Sequence, residues 1–288
     1  MTTSALNSGR HSVRVGEFRV TALSDGLIRG NFGLVAGIDA DDARRQELSA
    51  GRSEPPLINV NAFLIERGDA AILVDTGCGE SYGPDLGRIE GHLAALGVRP
   101  EAVGTVLLTH LHGDHANGLL TADKQSRFPN ATLVMHEAEP AFWRDDALVA
   151  AAPPRAVAAV TTARAVLDLH RDRLEFAVEG EVLPGLHLVA EPGHTPGHCG
   201  WLVESGGEQL LIWGDIVHLP GIQFARPEAG MIFDIDRDSA EATRRRLFDR
   251  AAADRLLVAG MHLDFPAFGV VERLAGGAGP DGYRFELT

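Results

Sequence analysis

His110-Leu-His-Gly-Asp-His115 follows directly on a strand-like run, Gly104-Thr-Val-Leu-Leu-Thr109, and sets four metal-ligating side chains within six positions. Imidazole nitrogen and carboxylate oxygen suit Zn, Fe, Mn or Co. Spacing matters as much as number. His110 and His112 stand two apart, so an extended or turning backbone projects both to one side. Gly113 is expected to free the backbone for a sharp turn, aiming Asp114 and His115 at a second position. One strand end thus supplies two pairs of ligands, enough to begin two adjacent metal sites.

Further donors occur in order along the chain. His194 lies in Glu191-Pro-Gly-His-Thr-Pro-Gly-His198, a turn-rich segment behind a strand candidate at 186–190. Asp215 ends a buried-strand pattern, Gln209-Leu-Leu-Ile-Trp-Gly-Asp215, and His262 follows the apolar run Arg255-Leu-Leu-Val-Ala-Gly-Met261. Each candidate falls at the C-terminal end of a predicted strand, the edge where layered α/β folds bind ligands.

The six-residue motif with its later His, Asp and His resembles the His-x-His-x-Asp-His signature of the metallo-β-lactamase superfamily. That resemblance implies a four-layer αββα fold. It also implies one metal on His110, His112 and His194, a second on Asp114, His115 and His262, and Asp215 bridging both. Within the superfamily, several segments are similar to the methyl parathion hydrolase group and its lactonase-like relatives. They are Asn59-Val-Asn-Ala-Phe-Leu-Ile65, Leu73-Val-Asp-Thr-Gly77, Pro192-Gly-His-Thr-Pro-Gly-His198, Trp213-Gly-Asp215 and the region of Asp234 and Asp236 with the helix after it. The similarity runs from about Asn59 to the C-terminus.

Composition suits an enzyme of this kind. The 288 residues are 45% hydrophobic, enough for one large domain or two intimately packed halves. We expect a single domain over 1–288, with a strand-and-loop extension at 1–57 and the αββα core at 58–288. Net charge is −14, and Lys124 is the one lysine. Such an acidic surface repels phosphate backbones and anionic headgroups, so the expected partner is a small-molecule substrate, without nucleic acid or membrane. A homodimer is the oligomer considered. Residues 1–10 contain no apolar h-region, no run of eighteen apolar residues occurs, and Cys78 and Cys199 form no Cys-x-x-Cys pair. The two cysteines read as small buried side chains in a reducing compartment, and a cytoplasmic location is expected.

Periodicity predicts strands at 13–23, 60–65, 71–75, 131–135, 174–178, 186–190, 200–204 and 209–213, besides the run to Thr109. Helices are predicted at 85–96, stopped by Gly97, at 137–143, and at 154–170 beyond a break at Pro153-Pro154. A last helix is expected at 239–253, with Asp238 and Glu241 as a capping box.

Competing motifs fail. In Gly77-Cys-Gly-Glu-Ser-Tyr-Gly83 the third glycine comes one residue late for a dinucleotide fingerprint, so a tight turn is expected. No Gly-x-Ser-x-Gly elbow and no Walker loop occur. Metal-activated water is left as the nucleophile. Two divalent ions, zinc first and Fe, Mn or Co as alternatives, with a bridging hydroxide would attack a carbonyl or phosphoryl centre, with Asp114 and Asp215 as the catalytic carboxylates. Ligating histidines need acceptors for their other ring nitrogen, and Asp75 and His198 are the candidates. Phe32, Phe142, Trp143, Phe224, Phe265 and Phe268 lie in segments able to rim the cleft, although each taken singly reads first as a core residue. The resemblance implies small uncharged esters: lactones, aryl esters or phosphotriesters. Thioesters of the glyoxalase II type and β-lactams share the chemistry, and a di-iron oxidoreductase is a more distant alternative.

Overall fold

The computed structural model describes residues 8–151, 154–274 and 282–288. Strands of the first half are β1 (Arg10–Val15), β2 (Phe18–Arg29), β3 (Val35–Ala36), β4 (Leu57–Arg67), β5 (Ala70–Val74), β6 (Val103–Leu107), β7 (Thr132–His136) and β8 (Leu174–Ala177). Those of the second half are β9 (Gly180–Leu183), β10 (Leu186–Ala190), β11 (Cys199–Ser205), β12 (Glu208–Trp213), β13 (Gly230–Met231), β14 (Leu257–Gly260), β15 (Phe268–Arg273) and β16 (Tyr283–Leu287). They form two seven-stranded sheets, ordered β1-β2-β4-β5-β6-β7-β8 and β16-β15-β14-β12-β11-β10-β9, while β3 pairs with β13. The helices are α1 (Ala40–Ser49), α2 (Ile89–Ala95), α3 (Gly113–Ala116), α4 (Ala138–Arg144), α5 (Asp146–Ala151), α6 (Pro154–Leu169), α7 (Pro220–Gln223) and α8 (Arg237–Asp254).

Side-chain alternation along the first sheet builds two cores. Phe63, Ile65, Val74, Leu107 and Val134 pack toward Leu188, Trp201, Ile212 and Val258 of the second sheet. Their neighbours Leu64, Leu73, Val106 and Leu133 face the other way, against Ile89 and Leu93 of α2 and Val160 and Val166 of α6. On the second sheet Phe248 of α8 packs on Trp213, 5.9 Å between ring centroids. Helix, sheet, sheet and helix therefore stack in four layers. Each fully buried branched or aromatic side chain contributes roughly 1.5–3 kcal/mol to holding them together.

Strand direction gathers the site. β5, β6, β7 and β8 run parallel. In the second sheet β10 is antiparallel to β11 and β11 to β12, whereas β12 is parallel to β14, so β10, β12 and β14 end at one edge. The loops carrying His194, Asp215 and His262 leave from that edge.

Several expected elements are corrected. The strand expected at 13–23 is a hairpin, turned at Gly16 with φ +54°. β2 continues to Arg29 through a bulge at Ser24/Gly26. Helix α2 is shorter than 85–96, and Gly97 ends it with φ +78°. α8 starts at Arg237, and its cap is Asp236, whose carboxylate accepts from Ser239 N at 3.0 Å; the Asp238/Glu241 box lies inside the helix. The stretch before residue 58, expected as a strand and loop, holds strands β1 and β2 of the first sheet, the short β3 and helix α1. Pro153 of the expected break lies outside the described residues. Cys78 and Cys199 are buried and unpaired. No described helix is long and apolar enough to cross a membrane.

Candidate metal centre

β6 ends at Leu107, and the chain is held past it by Asp75, whose carboxylate accepts from Thr109 N at 2.8 Å and Thr109 Oγ1 at 2.7 Å. Three residues on, His112 caps the single turn of α3, which carries Asp114 and His115. Gly113 has ordinary helical backbone there, so what it supplies is space, not freedom to turn. A Cβ at this position would stand 2.8 Å from Tyr82 OH and from Asn117 Nδ2.

Seven of the expected ligands converge as two sets that share one carboxylate. His112 Nδ1 lies 2.9 Å from His110 Nε2 and 2.8 Å from His194 Nε2. Asp215 Oδ2 faces this set, 3.0 Å from His194 Nε2 and 3.6 Å from His110 Nε2. Its other oxygen, Oδ1, lies 3.0 Å from His115 Nε2 and 3.1 Å from His262 Nε2. Asp114 Oδ2 completes the second set at 3.7 Å and 3.5 Å from the same nitrogens. His115 Nε2, His262 Nε2 and Asp215 Oδ1 are buried and make no well-directed hydrogen bond. A buried polar atom left without a partner costs about 1–3 kcal/mol. Convergent lone pairs of this kind fit divalent cations, and the nitrogen-and-carboxylate donor set suits zinc.

Three of the remaining ring nitrogens meet strong acceptors. His115 Nδ1 pairs with Asp75 Oδ2 at 2.7 Å, His194 Nδ1 with Asp234 Oδ1 at 2.7 Å, and His262 Nδ1 with the Asn59 carbonyl at 2.6 Å. Each acceptor keeps the proton on Nδ1 and turns the Nε2 lone pair to the centre. Electrostatics reinforce the geometry. Burial opposes charge on His194, but Asp215 and Asp234 outweigh it and hold its pKa at about 9. Burial and the neighbouring His194 instead depress His112 to about 3. Against its own burial, Asp215 is held well below the usual carboxylate range by His115, His262, His218 and His194. The pocket favours positive charge at its middle.

Asp75 and His198 play different parts. Asp75 meets the imidazole of His115 directly. His198 does not: its Nε2 accepts from Asp215 N at 2.7 Å and its Nδ1 donates to the Glu191 carbonyl at 2.7 Å. It positions Asp215 through the backbone. Three residues escaped the sequence reading. Asp234 was noted as part of a similar segment without a role. His218, three residues beyond Asp215, places Nε2 3.0 Å from Asp215 Oδ2 and stacks on His262 at 4.9 Å. Its closeness in sequence to Asp215 was a usable signal. Glu139 had none: its carboxylate accepts from Leu111 N at 2.9 Å, Trp143 Nε1 at 2.6 Å and Thr195 Oγ1 at 2.7 Å, tying the His112 and His194 loops together.

Most of the aromatic candidates lie in the core, the reading given first to each. Phe224 and Phe268 belong to the main core, with Phe265 packed on it; Phe142 packs on the helix-side core, and Phe32 lies in a cluster with Leu219 and Ile222. Of the six, Trp143 reaches the histidines, edge-on to His112 at 5.5 Å. Phe233, not among them, faces His194 at 5.7 Å and His218 at 5.2 Å.

Comparison with known proteins places the fold. An N-acyl homoserine lactonase of Bacillus cereus is 28% identical over 171 residues, 52% of this chain and 60% of that one. The chain spans about three fifths to two thirds of the length of the first curated relatives it matches. Over the whole length, the crystal structure of AbOPH, a hydrolase in the β-lactamase superfamily, superposes with a TM-score of 0.88 at 31% identity, covering 97% of both chains. AidC, a dizinc quorum-quenching lactonase in complex with its product, shares the fold with a TM-score of 0.88 at 24% identity and 97% coverage of each chain. With the model of the metallo-beta-lactamase superfamily matching residues 55–262, the whole ligand set included, the chain belongs to that superfamily.

Proposed function

We propose that this protein is a binuclear metal-dependent hydrolase of small uncharged esters, lactones and aryl esters foremost and phosphotriesters as slower substrates. One observation carries the reading: the two oxygens of Asp215 face separate histidine sets, His194 and His110 on one side and His115 and His262, with buried and partnerless Nε2 atoms, on the other. Two divalent cations, zinc by donor chemistry, would supply Lewis acidity and activate water there. His110, His112 and His194 would hold one and Asp114, His115 and His262 the other, with Asp215 shared. Asp234, Asp75 and the Asn59 carbonyl keep the proton off Nε2 of His194, His115 and His262 respectively. Asp114 is less buried than Asp215, with 18% of its side chain exposed, and we assign it the passage of a proton to the departing oxygen. Trp143 and Phe233 flank His112 with apolar ring surface, which favours an uncharged, apolar substrate. Similarity to curated lactonases supports the same class. Two buried, unpaired cysteines suit the reducing cytoplasm we propose as its location.

The test is a panel of dihydrocoumarin, acyl-homoserine lactones, a paraoxon-type ester, lactoylglutathione and a β-lactam, run on zinc-loaded protein. Lactones and aryl esters should turn over fastest. Preference for lactoylglutathione or the β-lactam by orders of magnitude would overturn the substrate class. Metal analysis should find two ions per chain, and a chain that binds none would overturn the mechanism.

A further inference from the structure

His262 is held by the chain on both sides of the cleft. Its Nδ1 donates to the Asn59 carbonyl, and the Asn59 side chain reaches back, Nδ2 donating to Asp264 Oδ1 at 3.0 Å. Asp264 is in turn gripped by Arg52, with Nη1 on Oδ1 at 2.9 Å and Nη2 on Oδ2, a two-pronged guanidinium–carboxylate fork. Such forks fix orientation as well as charge, which a lysine ammonium cannot do. Arg52 follows α1, and that helix is seated firmly. Glu47 is buried, and a Cβ on Gly221 at the start of α7 would stand 2.5 Å from Glu47 Oε2 and 2.6 Å from Arg52 Cδ. Arg52 lies before the stretch shared with the superfamily model, and Asp264 just beyond it.

We propose that Arg52 is a positioning residue for the second cation, and that the N-terminal arm 40–52 and occupancy of that cation stabilise each other. The inference rests on the two-cation reading. Arg52 touches no ligand atom. It acts by fixing Asp264 and Asn59, which together set the direction of His262. The first cation's ligands, His110, His112 and His194, have no link to the fork. Loss of Arg52 should therefore release one ion, not both. Linkage requires the converse: filling the second position should order the arm.

The test uses the full chain loaded with Co(II), titrated with a competing chelator while the visible spectrum and ion count are followed. Arg52→Ala and Asp264→Ala should each give up one cation at about 10–100-fold lower chelator concentration, the usual range when a ligand's support is removed. The ion held by His110, His112 and His194 should be retained as in wild type, and the double variant should be no worse than either single one. Arg52→Lys, which keeps charge but not the fork, should lie between. In wild type, hydrogen exchange across residues 40–52 should slow when the second ion is added. Equal loss of both ions in step with thermal stability would overturn the proposal, as would wild-type affinity in Arg52→Ala. If the alanine variants do not fold, metal-independent exchange of the arm in wild type overturns it equally. A wild-type chain that takes up no ion would instead be the failure of the two-cation reading.

Discussion

Asp234→Asn is the sharpest test of how the centre selects its ligand atoms. Asp234 Oδ1 accepts from His194 Nδ1 at 2.7 Å, and Oδ2 accepts from Met231 N at 2.8 Å. Burial raises the carboxyl, but His194 prevails and holds Asp234 at about 2, so it is ionised throughout the working range. Both oxygens face N–H donors, whereas asparagine offers one acceptor and one donor. If its oxygen stays with His194, its amide meets the Met231 N–H, which cannot reverse, at a cost of about 1–3 kcal/mol. If the amide turns to His194, the imidazole must move its proton to Nε2, the atom aimed at the cation. The second outcome blocks a ligand without moving a heavy atom. We expect affinity for one cation to fall about 10–100-fold, equivalent to roughly 1.4–2.7 kcal/mol. Chelator competition on the folded chain measures the affinity, and nitrogen NMR of the imidazole ring reports which nitrogen carries the proton. Asp234→Ala should be milder, since it removes an acceptor without imposing a donor. Wild-type affinity in Asp234→Asn, or a larger loss in Asp234→Ala, would refute the tautomer argument in favour of packing alone.

Asp215→Asn should cost at least one of the two ions and more than about 100-fold in turnover, beyond what a residue supporting a ligand usually contributes; ion counting and steady-state rates decide it. Glu139→Ala orphans three buried donors and should destabilise the metal-free protein by roughly 3 kcal/mol or more. Glu139→Gln should stay within about 1 kcal/mol, because Oε1 keeps two bonds and the Thr195 hydroxyl can turn to accept; urea unfolding separates them. Burial lifts the Glu47 carboxyl to about 7. A carboxyl with a raised folded pKa contributes fully below its unfolded value and loses that contribution as pH rises toward 7. Glu47→Gln should accordingly leave the Tm unchanged at pH 4 and raise it at pH 8, and a gain of equal size at both would refute the assignment.

The fold was legible where periodicity and breakers coincide. The strand expected at 186–190 matches β10, and Gly97 ends α2 at the expected place. The hairpin at Gly16 was not read, although the alternation changes phase across Gly16-Glu17, from Val13 and Val15 to Phe18, Val20 and Ala22. Nor was α1, which is charged on most of its surface and buries little beyond Ala43 and Glu47. Its start is marked only by Asp39, capping Asp41 N at 2.8 Å.

The sequence by itself determined the donor types, their number and their places at strand ends, because the motif is local and the strand ends are read from hydrophobic runs a few residues long. Tertiary structure alone decided which atom of each donor points inward. His194 depends on Asp234, forty residues away, His115 on Asp75, and His262 on the Asn59 carbonyl from the opposite sheet. Those pairings arise from register and from the packing of one sheet on the other. A proton on an imidazole goes to whichever nitrogen finds an acceptor, and no local spacing specifies that.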